Sequence, residues 1–366
     1  MLRFGYKLAH CISTWAIEWG DMFRGEDIGI DLGTASVLIY VRGKGIVLRE
    51  PSVIAMVQGS KDVKAVGAEA YRMLGRTPGN IVAARPLKDG VIADYTLTER
   101  MLTLFMRKVL SPVSSRFFKP QVMVGVPSGV TEVERQAVVR AVVEAGARRA
   151  FLIDEPLAAA IGAGIAIAEP TGSMVVDIGG GSTDIAVISL GGIVNAQSLK
   201  IAGNEFDEAI ASFIRNKYNL LIGERTAEDL KIKVGAAKIL PDDEPVVAEV
   251  RGRDLVSGLP KTVEVSAQNV TEALQDPLDK IIQGVKQVLE TTPPELVADI
   301  IDRGILLTGG GALLRNLDIV LQEATGVPVV VAENAVEAVA VGTGKALDML
   351  HVLQDALVSS DAVLRR

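Results

Sequence analysis

Two glycine-tipped hairpins, each predicted from a pair of apolar runs, constrain the fold of this chain more than any other feature. The more complete one is VVDIGGGSTDIAVI at residues 175–188, in which an apolar run ends at Asp177, three glycines follow, and a second apolar run begins. Apolar, β-branched runs bounded by glycine predict strands. Glycine at the tip lets backbone N–H groups approach an anion, so this hairpin is predicted to hold a phosphate; the alternative is an ordinary glycine-rich turn.

A second hairpin with the same pattern occurs far upstream. The segment IGIDLGTASVLIYV at residues 28–41 again has an apolar run, an aspartate (Asp31), a glycine and another apolar run. Each hairpin is followed by a further glycine turn and strand, GKGIV at 43–47 and LGGIV at 190–194. This repeat predicts a duplicated domain with the phosphates held between the two tips. The two aspartates are then predicted to hold a hydrated divalent cation beside the phosphates.

Composition limits the size and the partners of the protein. A chain of 366 residues is long enough for two domains with a large core. The net charge of −7, and the lack of a Lys/Arg-rich run with interleaved aromatic residues, argue against a nucleic-acid partner. The single cysteine, Cys11, excludes an internal disulfide bond. The two histidines, His10 and His351, are far apart in the chain and support neither a zinc site nor a Ser–His–Asp triad.

Residues 1–24 differ from the rest of the chain. Apolar side chains recur there at spacings of three and four, which predicts one face of a helix: Phe4, Leu8, Ile12, Trp15, Trp19 and Met22. Charged residues interrupt the segment too often for a membrane-spanning helix. We interpret it as an amphipathic helix in a membrane interface, the alternative being a helix docked on the protein's own surface. Phe117 and Phe118, adjacent between basic residues, either pack in the core or form a loop that dips into lipid beside this helix. Met22 is an alternative start of the chain.

A carboxylate stands at the start of a predicted buried helix. Residues 151–153 form a predicted strand that leads into Asp154 and Glu155. The helix after it, at 157–167, is nearly all Ala, Ile and Gly, so it is predicted to be buried and to approach a neighbour closely. Glu155 either caps this helix or orients a water molecule for attack on a phosphate, and the hairpins on either side favour the second role. The final predicted helix, at 335–353, begins with similar small residues.

Two further segments suit a nucleotide. Glu228 and Lys231 are three residues apart on a predicted helix and share a face, so they form either a surface salt bridge or a clamp on ribose and adenine. Gly309–Gly311 follow a predicted strand and precede a helix, where a nucleotide commonly meets a helix N-terminus. Neither GxxxxGK[ST] nor GxGxxG matches, so a Walker or Rossmann site is not predicted.

Together these motifs resemble the actin, Hsp70 and sugar-kinase superfamily, and within it most closely the MreB/Mbl family of bacterial actins. The resemblance covers about residues 22–350 and rests on segments that keep the family's order: IDLGTA, GKGIVLREPSV, LGRTPGN, KDGVIADY, DEPLAAAIGAG, VVDIGGGSTD, RTAEDLK, RGRDL, TPPEL and LTGGGALLRNLD. It implies an α/β, actin-like ATPase fold with two duplicated domains, each with a mixed sheet flanked by helices and a smaller inserted subdomain. The implied division is an N-terminal segment 1–24, domain I at 25–165 with a subdomain at about 52–90, domain II at 166–353 with a subdomain at about 203–258, and a tail at 354–366.

The resemblance also implies a function. The implied protein is a cytoskeletal ATPase that uses ATP and Mg²⁺ and assembles with itself into filaments on the inner face of the cell membrane. These filaments direct the membrane-bound cell-wall elongation machinery and maintain rod shape. An Hsp70-like or sugar-kinase-like ATPase that does not polymerise is the alternative, and the preference between ATP and GTP is left open.

Site residues are carried over from the family by position. Phosphate loops are Gly33, Thr34 and Ala35, and Gly179, Gly180 and Gly181. The ribose and base contacts are Ala227, Glu228, Asp229, Leu230 and Lys231, and the turn that closes over the nucleotide is Gly309, Gly310, Gly311 and Ala312. Asp31 and Asp177 face the magnesium ion, and Glu155 with Ser182 holds the attacking water. The membrane is contacted by the N-terminal helix and the Phe117–Phe118 loop.

The chain departs from the family pattern at several positions. Ser36 stands where Asn is usual, Ser182 where Thr is usual and Asp184 where Glu is usual. Because Ser182 keeps a hydroxyl group, its part in holding the water is expected to persist with looser positioning. The long N-terminal extension is also atypical.

Overall fold

A computed structural model of the chain describes residues 27–60, 62–110, 119–353 and 356–359. The predicted membrane helix at residues 1–24 and the Phe117–Phe118 pair lie outside the described residues. The strands, in chain order, are β1 (Ile28–Leu32), β2 (Ser36–Val41), β3 (Gly45–Pro51), β4 (Ile54–Val57), β5 (Val63–Val66), β6 (Ile81–Ala84), β7 (Leu87–Lys88), β8 (Val91–Ile92), β9 (Gln121–Val126), β10 (Arg149–Asp154), β11 (Ser173–Ile178), β12 (Thr183–Ser189), β13 (Gly192–Leu199), β14 (Leu220–Leu221), β15 (Val247–Asp254), β16 (Pro260–Ser266), β17 (Ile305–Thr308), β18 (Val329–Val331) and β19 (Val358–Ser359).

Helices alternate with these strands. In chain order they are α1 (Ala68–Tyr71), α2 (Tyr95–Val109), α3 (Glu132–Glu144), α4 (Glu155–Gly162), α5 (Gly203–Tyr218), α6 (Glu224–Val234), α7 (Ala267–Thr291), α8 (Pro294–Arg303), α9 (Leu317–Thr325) and α10 (Ala338–Ala346), with a 3₁₀ turn at Gly311–Leu313. Local sequence explains their starts: at α3, the hydroxyl of Thr131 accepts from the N–H of Glu134, whose carboxylate accepts from the N–H of Thr131 at 2.7 Å. None of the helices within the described ranges has the length and apolar content that crossing a bilayer requires.

The two large sheets have the same construction. One has the order β19-β10-β9-β1-β2-β3 and the other the order β13-β12-β11-β17-β18. In each, a hairpin strand pairs antiparallel with its neighbour (β1 with β2, β11 with β12) and parallel with a later strand (β1 with β9, β11 with β17). The duplication predicted from the two hairpins is therefore present in the topology. Since equivalent strands carry Asp31 and Asp177, the two aspartates occupy equivalent places.

The end of the chain returns to the first sheet. Strand β19, which falls in the predicted tail, pairs antiparallel with β10, so that Phe151 lies opposite Ser359. Helix α10 packs against β1, β2 and β9 of the same sheet. The domain limits remain a prediction, but the strand pairing and helix packing join the last elements of the chain to its first sheet.

Helices α4 and α10 pack against each other between the two sheets. Their side chains belong to one buried cluster with residues of both sheets, among them Met123 of β9 and Val175 of β11. A Cβ on Gly162 would lie 1.8 Å from the carbonyl oxygen of Ala338, and one on Gly342 only 1.7 Å from that of Ala158. The close approach predicted from the small residues is thus made at two glycines, which bring the helix backbones almost into contact.

Both helices are shorter than the sequence suggested. Helix α4 ends at Gly162 rather than at residue 167, because Gly164 adopts a left-handed conformation with φ +84° that ends the helix. Helix α10 covers Ala338–Ala346 rather than residues 335–353. The chain beyond it forms turns, one of them closed by the N–H of Val352 donating to the carbonyl of Met349 at 2.8 Å.

Two small sheets stand beside the large ones. The order β5-β4-β6 forms the first, with α1, and the order β14-β15-β16 forms the second. The segment PLKDGVIADY at residues 86–95 forms a hairpin, β7 with β8, whose turn residues Asp89 and Gly90 have φ of +51° and +80°. An Asp-Gly pair with both φ positive is the preferred two-residue hairpin turn.

Candidate functional site

The two predicted phosphate hairpins face each other. A Cβ on Gly180 would lie 2.5 Å from the Cβ of Ala35, and one on Gly181 would lie 2.4 Å from Oγ1 of Thr34. Both distances are shorter than a side chain allows, so the tips can approach this closely only with glycine at these two positions. The two tips are consequently close enough for one anion to contact both of them.

A cavity of about 510 Å³ lies between the two tips, and α6 contributes part of its wall. The predicted site residues that line it are Asp31, Gly33, Thr34, Ala35, Glu155, Asp177, Gly179, Gly180, Gly181, Ser182, Glu228, Lys231, Gly309, Gly310 and Gly311. Four others are not part of the lining: Ala227, Leu230 and Ala312 are buried in the core, and Asp229 is exposed on α6. On α6, therefore, one helix face meets the cavity, as the three-residue spacing of Glu228 and Lys231 suggested.

Three acidic side chains are crowded into the cavity. Removal of water raises the pKa of Asp31 to about 8, with a further contribution from the charge of Asp177. Burial likewise raises the pKa of Asp177 to about 7, against the hydrogen bond at 2.7 Å that it accepts from Thr308. The pKa of Glu155 is raised well above its usual value by burial first and then by neighbouring carboxylates, chiefly Asp184. This excess of acidic groups suits a cation.

Asp184 is a functional candidate that received no role from the sequence. It is fully buried on β12 and accepts a hydrogen bond of 2.8 Å from the backbone N–H of Ser128, in the segment after β9. Burial raises its pKa to about 6, and hydrogen bonds from hydroxyl groups, including that of Ser182, oppose the rise. The sequence feature that could have identified Asp184 is its place directly before the apolar run of a predicted strand.

Glu228 and Lys231 share the cavity without pairing with each other. Lys231 Nζ lies 2.8 Å from the carboxylate of Asp207 and donates at 2.8 Å to the carbonyl of Gly203, the first residue of α5. Glu228 accepts a hydrogen bond from the hydroxyl of Tyr71, the last residue of α1. A salt bridge between the two, one of the alternatives from the sequence, is not formed.

The third glycine turn seals one side of the cavity. Gly309 has φ +82°, and its N–H donates to the carbonyl of Ala335 at 2.9 Å. A Cβ there would lie 2.3 Å from the carbonyl oxygen of Ile178, at the end of β11, so the turn packs directly against the second hairpin. The 3₁₀ turn that follows, rather than an α-helix N-terminus, faces the cavity.

Several lining residues were not found from the sequence. The N–H of Gly90, at the tip of the β7–β8 hairpin, donates to Oγ1 of Thr34 at 2.9 Å and so supports the first phosphate loop. Ile232, Leu313 and Val336 are large apolar side chains that line the cavity and are 73%, 60% and 36% exposed. Exposed apolar groups in a cavity suit a flat ring, and nothing in the local sequence distinguishes them from core residues. Arg85 lines the cavity as well.

The arrangement can bind a ligand with three chemically different parts. The glycine tips suit a polyphosphate, the acidic cluster suits a cation beside it, and the apolar side chains suit a ring at the α6 end. No group of three or more His, Cys, Asp or Glu side chains within the described ranges is arranged to hold a metal ion without other ligands. A cation here is therefore expected to share its coordination with phosphate and water.

Comparison with known proteins gives consistent matches over most of the chain. A family model described as "MreB/Mbl protein" matches residues 25–355. The cell shape-determining protein Mbl of Bacillus subtilis (strain 168) is 57% identical over 328 residues, 90% of this chain and 97% of that protein. The cell shape-determining protein MreB of Escherichia coli (strain K12) is 54% identical over 346 residues, 93% of this chain and 99% of that one.

A solved structure extends the comparison to the fold. MreB5 of Spiroplasma citri bound to AMPPNP is 39% identical and superposes with a TM-score of 0.85, covering 90% of this chain and 98% of that one. The actin-like α/β fold predicted from the sequence is confirmed by this likeness.

Proposed function

The chain belongs to the MreB/Mbl family, and from that premise we propose that it is a cytoskeletal ATPase that forms membrane-associated, actin-like filaments and directs cell-wall synthesis to maintain rod shape. The observation that carries the proposal is the cavity between two glycine-tipped hairpins with three acidic side chains inside it. The names of the relatives support it: Mbl and MreB are cell shape-determining proteins, and MreB5 was solved with AMPPNP.

ATP and Mg²⁺ fit the residues present. The phosphates belong at the glycine tips, where backbone N–H groups can donate, and the adenine ring belongs among Ile232, Leu313 and Val336. Asp31 and Asp177 are the residues to hold Mg²⁺, because both carboxylates are buried in the cavity and lie close to other acidic groups. The ion, when bound, neutralises negative charge on the phosphates.

Hydrolysis requires mainly that a water molecule be positioned in line with the terminal phosphate. Glu155 is suited to this task because its side chain lines the cavity at the start of α4, where a carboxylate can accept a proton from water. Ser182 lines the cavity at the second tip and supplies a hydroxyl group to the same water. These are the roles that the family resemblance implies for both residues.

Nucleotide binding is proposed to close the two halves of the protein, and the closed form to add to a filament. Because the phosphates contact both tips, ATP holds the hairpins of the two large sheets together. Assembly into filaments is the property that distinguishes such an ATPase from Hsp70-like or sugar-kinase-like enzymes, which hydrolyse ATP without polymerising.

Sedimentation and electron microscopy of the purified protein test this function. With ATP and Mg²⁺ we expect filaments above a threshold protein concentration, and with Mg²⁺ removed by EDTA we expect none. AMPPNP should preserve the filaments if hydrolysis follows assembly. ATP hydrolysis by protein that stays monomeric at every concentration would favour the non-polymerising alternative instead.

Association with the membrane is proposed to depend on the N-terminal segment. A filament presents many copies of a weak anchor, so one amphipathic helix per subunit is sufficient for stable attachment. Deletion of residues 1–21 is expected to abolish most ATP-dependent co-sedimentation with anionic vesicles while filaments still form in solution. The membrane proposal fails if the truncated protein sediments with vesicles as fully as the intact chain does.

A further inference from the structure

A bridge of polar side chains crosses the mouth of the cavity between the two small subdomains. On one side are Tyr71 and Arg85, and on the other are three residues of α6: Glu224, Arg225 and Glu228. Arg85 donates from Nε and Nη2 to Oε1 of Glu224 at 3.0 and 2.8 Å. The hydroxyl of Tyr71 donates to Oε2 of Glu228.

Two guanidinium groups lie close to the ring of Tyr71. The guanidinium carbon of Arg85 lies 5.8 Å from the ring centre and that of Arg225 lies 5.5 Å from it, within cation–π distance. Burial, together with the hydrogen bond to Glu228, raises the pKa of the Tyr71 hydroxyl, so this group remains a donor at any physiological pH. The position of the hydroxyl is therefore set by packing as well as by its acceptor.

Glu228 is common to the bridge and the cavity. Its side chain lines the cavity, and Oε2 is engaged by Tyr71, while Oε1 has no hydrogen-bond donor among the residues that the structure describes. A carboxylate held by one oxygen keeps the other free to accept from a ligand hydroxyl. Without Tyr71, the flexible Glu228 side chain would have to be ordered by the ligand alone.

We propose that Tyr71 is a positioning residue that orients Glu228 toward the ribose hydroxyls of the bound nucleotide. The proposal rests on the function proposed above and on the family resemblance, which implies that the ribose contacts lie on α6. It makes recognition of the sugar depend on a residue from the opposite small subdomain. Recognition of ribose and closure of the cavity mouth are consequently coupled through one carboxylate.

Deoxynucleotides provide the test, because they remove the hydroxyl that Glu228 would bind. The affinities of ATP, 2′-deoxyATP and 3′-deoxyATP are measured by competition with a fluorescent nucleotide, at protein concentrations below the assembly threshold. The wild-type protein should prefer ATP to at least one of the deoxy forms by about tenfold, the size expected of a hydrogen bond to a charged group. Tyr71→Phe, which keeps the ring beside the two guanidinium groups, should lose most of that preference.

Two control variants separate positioning from other effects. Tyr95→Phe removes a similar hydrogen bond, from the Tyr95 hydroxyl to Glu144 at 2.9 Å, which lies on other elements away from the cavity. Glu224→Gln weakens the bridge to Arg85 but leaves the contact between Tyr71 and Glu228. Both variants should keep the wild-type preference for ATP over the deoxy forms.

The outcomes distinguish this proposal from the function on which it rests. A wild-type protein that binds no ATP overturns the proposed function. A wild-type protein that binds ATP but does not discriminate against either deoxy form, or Tyr71→Phe with an unchanged preference, overturns only the role of Tyr71. Equal weakening of all three nucleotides by Tyr71→Phe, or loss of preference in Glu224→Gln, shows that closure alone is affected and also overturns that role.

Discussion

Replacement of Glu155 by Gln is expected to slow ATP hydrolysis about 10²- to 10⁴-fold while ATP still binds. The amide has the shape of the carboxylate, so a side chain that is only 8% exposed keeps its packing. The amide, however, cannot accept a proton from water. It also carries no negative charge, so the repulsion by Asp184 and Asp31 is removed. Removal of a negative charge near the phosphates should leave ATP affinity equal or higher. Single-turnover phosphate release measures the rate, and nucleotide titration measures the affinity separately.

Glu144→Gln is the matched control for this substitution. Glu144 is exposed at the end of α3, so the same chemical change there should leave hydrolysis unaltered. A filament assembled from Glu155→Gln protein with ATP should persist longer than the wild-type filament if hydrolysis drives disassembly. A single-turnover rate for Glu155→Gln equal to that of the wild type would remove Glu155 from the role proposed here.

Replacement of Gly342 by Ala is expected to lower the free energy of unfolding by about 2–4 kcal/mol. Helix propensity alone would favour Ala over Gly by about 1 kcal/mol, so the sign of the effect depends on the packing. The added Cβ would lie 1.7 Å from the carbonyl oxygen of Ala158, whereas ordinary contacts begin at 3.4 Å, and the atom it meets is backbone. Helices α4 and α10 must therefore separate, which loosens the core between the two sheets. Urea unfolding measures the loss.

A double substitution and a matched control make this prediction specific. Gly162→Ala acts at the same helix contact, so its cost should be far from additive with that of Gly342→Ala, because one separation relieves both clashes. Gly79→Ala is the control, since a Cβ at Gly79 would meet no atom within 4 Å. It should change stability by no more than about 0.5 kcal/mol. A stabilising Gly342→Ala would contradict the observed contact.

The elements that could be predicted from the sequence are those whose signal is local. Asp31 and Asp177 each follow an apolar run and precede a glycine, and this pattern is sufficient to predict the hairpins and their duplication. The Ala- and Gly-rich composition of α4 was likewise sufficient to predict a buried helix in close contact with a neighbour. The end of that helix was not predicted, because the left-handed conformation of Gly164 has no distinct sequence signal in a run of small residues.

The contacts that could not be predicted are those between distant parts of the chain. Glu228 was expected to pair with Lys231 or to contact the ligand, yet its partner, Tyr71, is 157 residues away. Lys231 is paired instead with Asp207, on a different helix. Spacing along one helix shows which side chains share a face but not what that face meets. The support that Gly90 gives to Thr34 was missed for the same reason.

The return of the chain to its first sheet has a consequence for synthesis on the ribosome. Strand β10 and its neighbours emerge early, but α10 and β19, which pack against them, are made last. If the ribosome adds 5–20 residues per second, the first sheet is without these partners for roughly 10–40 s after β10 has been made. The half of the protein that is translated first is therefore the last to be completed, and its unpaired edge is exposed to other growing chains until release.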